Sequence, residues 1–304
     1  MTYGIHTITC NTSKTDDTIH FFTKILGLKL VKKTVNPDAI DSYHLFFGNK
    51  IGLPSTLIST FCFTKNVLGE VGSGQVGEIY LQIPPKSISF WKDRFNFFKI
   101  KGTVVQKYFG ERSLYFKHLE GIRFRLVENS TLIKNPNIIT KIDKLNAIQC
   151  IYGAKILVEE NDENLKDVLK ILGYKFFIEV GGVKRYKCSK GKIATIIDVE
   201  TSTITGINNN GTIHHLSFLV KDIKELEALR FELNRQKYLT TEIIDRKYFK
   251  SLYFYSDGKM LIEVSTFKPG LTIDETEDKL GKSLQVPADV NLTKEELENM
   301  LPRI

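Results

Sequence analysis

The chain has 304 residues, 42% hydrophobic and 26% charged, a balance that excludes a disordered chain and suits roughly two globular domains. No apolar run approaches the ~18 residues of a membrane span, and the N-terminus MTYGIHTITC lacks the basic flank and apolar stretch of a secretory leader, so a soluble, cytoplasmic protein without membrane contact is expected. The formal charge of +8 comes from dispersed lysines with no nucleic-acid motif among them, which argues for a solvated surface and against nucleic acid.

Taken in chain order, the sequence repeats itself. A strand-like GIHTIT (4–9) leads into DTIHFFTKILG, where apolar residues recur at helical spacing over 16–26 and Gly27 supplies a left-handed end. GEIYLQI (77–83) starts a second unit with a helix over 87–99, then SLYF (113–116) and GIRFRLVE. The polar stretch Thr131–Lys144 reads as a connector. AIQCIYGAKI (147–156) opens a third unit, whose helix over 162–172 ends in KILGYK, matching the earlier KILGLK. TIHHLSFLV (212–220) opens a fourth, with a helix over 222–236, a second SLYF (251–254) and the strand KMLIEVS. After Phe267 comes Pro269-Gly270 and an acidic tail in which Thr293 and Glu296 fit a capping box, and this tail is expected on the surface or against a partner subunit. Cys10, Cys62, Cys150 and Cys188 form no CxxC pair and read as reduced thiols.

Strand, helix and several strands, four times over, define an α+β fold of four βαβββ modules paired into two domains of curled mixed β-sheets around clefts. The expected boundaries are an N-terminal domain at 1–130, a linker at 131–146, a C-terminal domain at 147–268 and a tail at 269–304.

Side chains alternate across a strand, so His215 falls with Ile213, Ser217 and Leu219, away from the more apolar face of His214, Leu216, Phe218 and Val220. That mixed face suits a cleft. In the last strand Glu263 alternates with Leu261 and Ser265 and needs a partner if buried. His215 and Glu263 are either a structural hydrogen-bonded couple or two ligands of Fe(II), Mn(II) or Zn(II). By repeat symmetry a third ligand would come from GIHTIT, where His6 aligns with His214 and Thr7 with His215. His20, His44 and His118 read as structural. Arg246 and Tyr253, near the strand before Glu263, suit an anionic oxygen and a hydroxyl.

These segments, with KILGLKLVKKTVNPD, YHLFFGNKIGLPSTLISTF, DRKYFKSLYFYSDGKMLIEV and the tail from PGLTIDE to LPRI, resemble the ring-cleaving dioxygenases of the vicinal oxygen chelate superfamily, in the hydroquinone-cleaving branch. The resemblance spans almost the whole chain. It implies metal positions at Thr7, His215 and Glu263, with His6, Thr9, His214, Arg246 and Tyr253 supporting the ligands or touching substrate. The opening motif of that branch normally ends in two histidines, so this chain carries threonine at one ligand position. Implied with it are one Fe(II) or Mn(II) per chain, a small aromatic substrate with O2, and a homodimer whose interface nothing in the sequence fixes. In the N-terminal half Arg125 stands where Glu263 stands in the C-terminal half, nine residues after SLYF, so one composite cleft between the first and last modules is expected. A non-catalytic binder of quinones on the same fold, and a glyoxalase-type isomerase or lyase, are the alternatives.

Overall fold

The four repeats fold as four βαβββ modules in the computed structural model, which describes residues 1–63, 67–130, 142–160, 164–256, 260–287 and 290–304. Module one comprises strand β1 (Ile5–Thr12), helix α1 (Thr15–His20) continuing as a π-helical turn (Phe21–Ile25), β2 (Lys29–Asn36), β3 (Ala39–Gly48) and β4 (Leu57–Cys62). Module two runs β5 (Gln75–Ile83), α2 (Ile88–Phe97), β6 (Val104–Tyr108), β7 (Glu111–Lys117) and β8 (Arg123–Glu128). Module three is β9 (Cys150–Val158), α3 (Asn164–Ile171), β10 (Tyr174–Val180), β11 (Val183–Cys188) and β12 (Ile196–Thr201). Module four is β13 (Ile213–Val220), α4 (Ile223–Arg235), β14 (Ile244–Asp245), β15 (Phe249–Tyr255) and β16 (Leu261–Pro269).

Local chemistry sets these boundaries. In α4 the Asp222 carboxylate accepts from the Glu225 backbone N–H, satisfying an end that the helix leaves open, and Leu226, Leu229 and Leu233 bury one stripe. Gly27 and Gly173, which follow the first and third helical segments, take φ of 74° and 94°, a region that a side chain disfavours.

The modules do not pair in sequence order. One eight-stranded sheet runs β14-β15-β16-β13-β1-β4-β3-β2 and joins module four to module one. The other runs β10-β11-β12-β9-β5-β8-β7-β6 and joins module three to module two. The expected grouping of modules one with two (1–130) and three with four (147–268) is corrected accordingly. The physical reason is that β1 and β13 complete each other's ladders, as β5 and β9 do, in antiparallel register. Most of the connector expected at 131–146 lies outside the described residues.

A contiguous apolar core joins both sheets and the helices between them. Phe21 and Phe22 of the π-helical turn meet Phe124 of β8 and Phe47 of β3 with ring centroids 5.7 and 4.6 Å apart. Trp91 and Phe95 of α2 are fully buried in the same cluster. A smaller cluster of Val31, Phe46, Leu57, Tyr248, Phe249, Leu271 and Leu280 ties the tail to the first sheet. The tail lies along β2: Gln285 N–H donates to the Lys33 carbonyl, and Thr34 Oγ1 donates to the Gln285 carbonyl. It ends in helix α5 (Lys294–Met300), whose capping box between Thr293 and Glu296 is formed as expected. All four cysteines are free and buried. Among the described residues no helix is long and apolar enough to cross a membrane.

Candidate functional site

The register of the first sheet assembles a cleft from four elements of one module and three of another. Thr9 faces His215 across β1 and β13, and Ser59 across β1 and β4. Glu263 on β16 faces Ser217 on one side and Tyr253 on the other. The resulting cavity encloses about 660 Å³, including open solvent at its mouth. Thr7, Thr9, His44, Ser59, His215, Arg246, Tyr253 and Glu263 form its polar wall. Val35, Pro37, Phe46, Phe61, Tyr248, Phe249 and Pro287 supply the apolar wall, and Asp38 joins them.

At the centre His215 Nε2 stands 3.3 Å from Glu263 Oε2 and 3.1 Å from Thr9 Oγ1. Tyr253 OH donates to Glu263 Oε1 at 2.5 Å, and Arg246 Nε donates to Tyr253 OH at 3.3 Å. Burial opposes ionisation of Glu263, but hydrogen bonds from His215 and Tyr253 outweigh it and hold the carboxyl below the usual carboxylate range. Burial, reinforced by the Glu263 charge, raises the Tyr253 phenol well above its ordinary value, so this residue keeps its proton. On the other side, Thr9 Oγ1 lies 2.9 Å from Ser59 Oγ, which lies 3.1 Å from His44 Nε2. His44 is pushed down to about 3 by burial and is neutral. Its ring centroid lies 4.1 Å from that of Phe46 and 4.5 Å from that of Phe61.

His6 and His214 do not line this cavity. The β1–β13 register shifts between Ile5 and Thr7, a bulge that leaves His6 without a facing residue. The His6 ring packs edge-on to Phe249 at 5.0 Å, with Nδ1 2.7 Å from Thr7 Oγ1. His214 Nδ1 lies 2.7 Å from His215 Nδ1, and its ring meets Phe61 edge-on at 5.2 Å on the far side. Both therefore touch a cleft residue without reaching the cleft. His44, read as structural from the sequence, does reach it, and so do Ser59, Phe46 and Phe61. A signal existed: in YHLFFG, Tyr43, Leu45 and Phe47 belong to the main core, which leaves His44 and Phe46 on the opposite face.

One imidazole and one carboxylate facing each other in a buried position suit a divalent cation. Thr7 lines the same cavity with its hydroxyl. Among the described residues no group of three His, Cys, Asp or Glu side chains stands together as a metal site. The side chains that could hold a divalent ion are His215 and Glu263, Nε2 and Oε2 3.3 Å apart.

The second sheet repeats the geometry with different chemistry. Arg125 faces Tyr115 there as Glu263 faces Tyr253 here. Arg125 Nε pairs with Glu78 Oε1 at 2.7 Å, and Arg185 Nε with Asp198 Oδ1 at 2.8 Å. The two guanidinium groups lie 4.1 and 5.6 Å from the Tyr108 ring centroid. Buried ion pairs and aromatic rings occupy the positions that form the cleft in the first sheet.

No family model matches the chain. Among known proteins it is 32% identical over 306 aligned residues to MhqE of Bacillus subtilis (strain 168), provisionally named a ring-cleaving dioxygenase, covering 100% of this chain and 99% of the relative. It is 30% identical to a chlorohydroquinone/hydroquinone 1,2-dioxygenase of Sphingobium indicum, covering 97% of this chain and 94% of that protein. A crystal structure of a provisionally named dioxygenase from Bacillus subtilis subsp. subtilis strain 168 superposes with a TM-score of 0.94 at 30% identity, covering 99% of this chain and 97% of that one. Four βαβββ modules in two curled sheets, with one acid-and-imidazole cleft, define the vicinal oxygen chelate class. The chain belongs to the ring-cleaving dioxygenase family of that superfamily, in its hydroquinone branch.

Proposed function

We propose that the cleft of the first sheet cleaves the ring of a hydroquinone-type aromatic with O2, using one Fe(II) or Mn(II) held by His215 and Glu263. The observation that carries this reading is the convergence of His215, Glu263, Tyr253 and Arg246 from distant strands in one aromatic-walled cavity. A metal bound there would acidify the diol and help pass charge to oxygen. Arg246 holds a phenolate oxygen by charge-assisted hydrogen bonding. Tyr253 shares its proton with Glu263 and is placed to give it to an anionic oxygen of the substrate. Phe46, Phe61 and Phe249 enclose the ring and exclude water. His44, neutral and edged by two aromatic rings, presents an imidazole to the same ring-sized space. The reading includes a homodimer and a cytoplasmic setting in which the four buried thiols stay reduced.

Oxygen uptake on adding hydroquinone to protein produced in iron-supplemented medium tests it. One O2 consumed per ring opened, with both oxygen atoms in the product and about one metal per chain, is the expected result. Ligand binding with neither metal nor oxygen uptake would replace this reading with the binder that Thr7 otherwise invites.

A further inference from the structure

The polar groups of the cleft fall into two sets. Arg246, Tyr253, Glu263 and His215 are linked in that order by polar contacts on one wall. His44 stands apart on β3, three strands from His215 in the order β13-β1-β4-β3, against the rings of Phe46 and Phe61. Three contacts bridge the two imidazoles: His215 Nε2 to Thr9 Oγ1 at 3.1 Å, Thr9 Oγ1 to Ser59 Oγ at 2.9 Å, and Ser59 Oγ to His44 Nε2 at 3.1 Å. That chain limits the gap between them to the scale of one aromatic ring with an oxygen at each end.

Burial keeps the His44 ring neutral. Its Nε2 is taken by Ser59. Among the described residues Nδ1 has no hydrogen-bond partner, and it is not sealed inside the protein, so it opens on the cavity that His44 lines. Thr34, which faces His44 across β2 and β3, gives its hydroxyl proton to the Gln285 carbonyl. Asn36, further along that wall, has its Oδ1 occupied by the Asp38 N–H. The apolar side of the cleft thus holds an uncommitted ring nitrogen among phenyl rings, and such a group costs free energy when an apolar ligand shuts it off from water.

We propose that His44 is the specificity-determining residue of the cleft. Its Nδ1 pairs with the hydroxyl that lies across the ring from the oxygen held at His215, Glu263, Tyr253 and Arg246, and so selects 1,4-diols. The inference rests on the reading of this cleft as a ring-cleaving site. A hydroquinone carries an oxygen at each end and satisfies both walls. A 1,2-diol places both oxygens at the first wall and turns a C–H toward His44, which leaves the nitrogen unpaired. A site built to hydrogen-bond a substrate hydroxyl discriminates strongly against analogues that lack it, because its own polar group is then left without a partner. A neutral imidazole suits this task, since it pairs with a phenol hydroxyl as donor or as acceptor according to its tautomer. Ser59 is the positioning residue, because its contact with Nε2 leaves Nδ1 as the nitrogen presented to the ligand.

Equilibrium binding to the full chain in the presence of Mn(II) and without oxygen tests the proposal. The two ligands are hydroquinone and 4-methylphenol, which has nearly the same shape but a methyl group in place of the second hydroxyl. The parent is expected to hold hydroquinone about tenfold tighter or more. His44→Phe keeps an aromatic ring without the nitrogen and is expected to bring the two affinities level, with 4-methylphenol bound as well as by the parent. His44→Gln keeps a hydrogen-bonding group and is expected to retain part of the preference. A parent that binds both ligands equally, or a preference unchanged in His44→Phe, would overturn the proposal. An equal fall in both affinities in that variant would mark His44 as structural and overturn it too. Each of these leaves the ring-cleaving reading standing, whereas a parent that binds neither ligand would overturn both.

Discussion

Thr7 lines the cleft with its Oγ1 2.7 Å from His6 Nδ1, and in the proposed metal site it would stand in place of a third ligand imidazole. A neutral hydroxyl is a weaker donor to Fe(II) than an imidazole, and even loss of an outer partner of a ligand weakens metal binding by about 10–100-fold. Thr7→His is therefore expected to tighten metal binding by more than about tenfold, read by competition with a chelator of known affinity; unchanged affinity would mean that position 7 does not face the ion. His215 and Glu263 were legible as cleft residues from strand alternation alone, because a strand has a period of two whatever its neighbours are. The same alternation sets His44 opposite the core residues Tyr43, Leu45 and Phe47, but its partners Ser59 and Phe61 come from β4 and are not marked in that stretch. Parity also set His6 apart from Thr7 and Thr9, and in the structure those two threonines line the cleft while His6 does not.

At the scale of elements, the tail acts as a strap over β2 rather than as a surface appendage. Lys32 on β2 has no exposed surface, and its Nζ meets Asp274 Oδ1 at 2.6 Å and Glu275 Oε2 at 2.5 Å. The same ammonium stands 4.8 Å from the Tyr248 ring centroid, and Tyr248 in turn donates to Asp274 Oδ2. Removing one partner of a buried ion pair leaves the others desolvated without compensation. Lys32→Ala is accordingly expected to lower the unfolding free energy by about 3–5 kcal/mol in a urea titration. Because Tyr248 and Pro287 also wall the cleft, loosening this strap should weaken aromatic binding as well. A variant as stable as the parent would show that the carboxylates find other partners. The capping box at Thr293 was readable from four consecutive residues, but the docking of Asp274 and Glu275 on Lys32 spans 242 and 243 positions and leaves no local trace.

Across the whole molecule, one scaffold appears twice and carries chemistry once. The first sheet opens a cleft at Glu263; the second sets Arg125 at the matching position and neutralises it with Glu78. A guanidinium in place of a carboxylate repels a cation, so metal titration of the parent is expected to saturate at one equivalent per chain by calorimetry. Glu263→Gln is expected to abolish that uptake, while Glu78→Gln leaves the stoichiometry unchanged; a second equivalent in the parent would contradict the assignment of a single site.

The sequence by itself determined the four modules, their helices and turns, and the faces on which His215 and Glu263 lie. Each of these follows from hydrophobic period, capping chemistry and backbone sterics within about a dozen residues. A composite cleft between the first and last modules was expected as well, but only the tertiary structure decided which strands carry the pairing, β1 with β13 and β5 with β9. It also decided that β10 stays open while β2 is covered. Those outcomes depend on which strands find each other across roughly 70 to 200 positions. Such contacts are selected by the total burial and ladder completion of the folded chain, a property that no short stretch of sequence possesses.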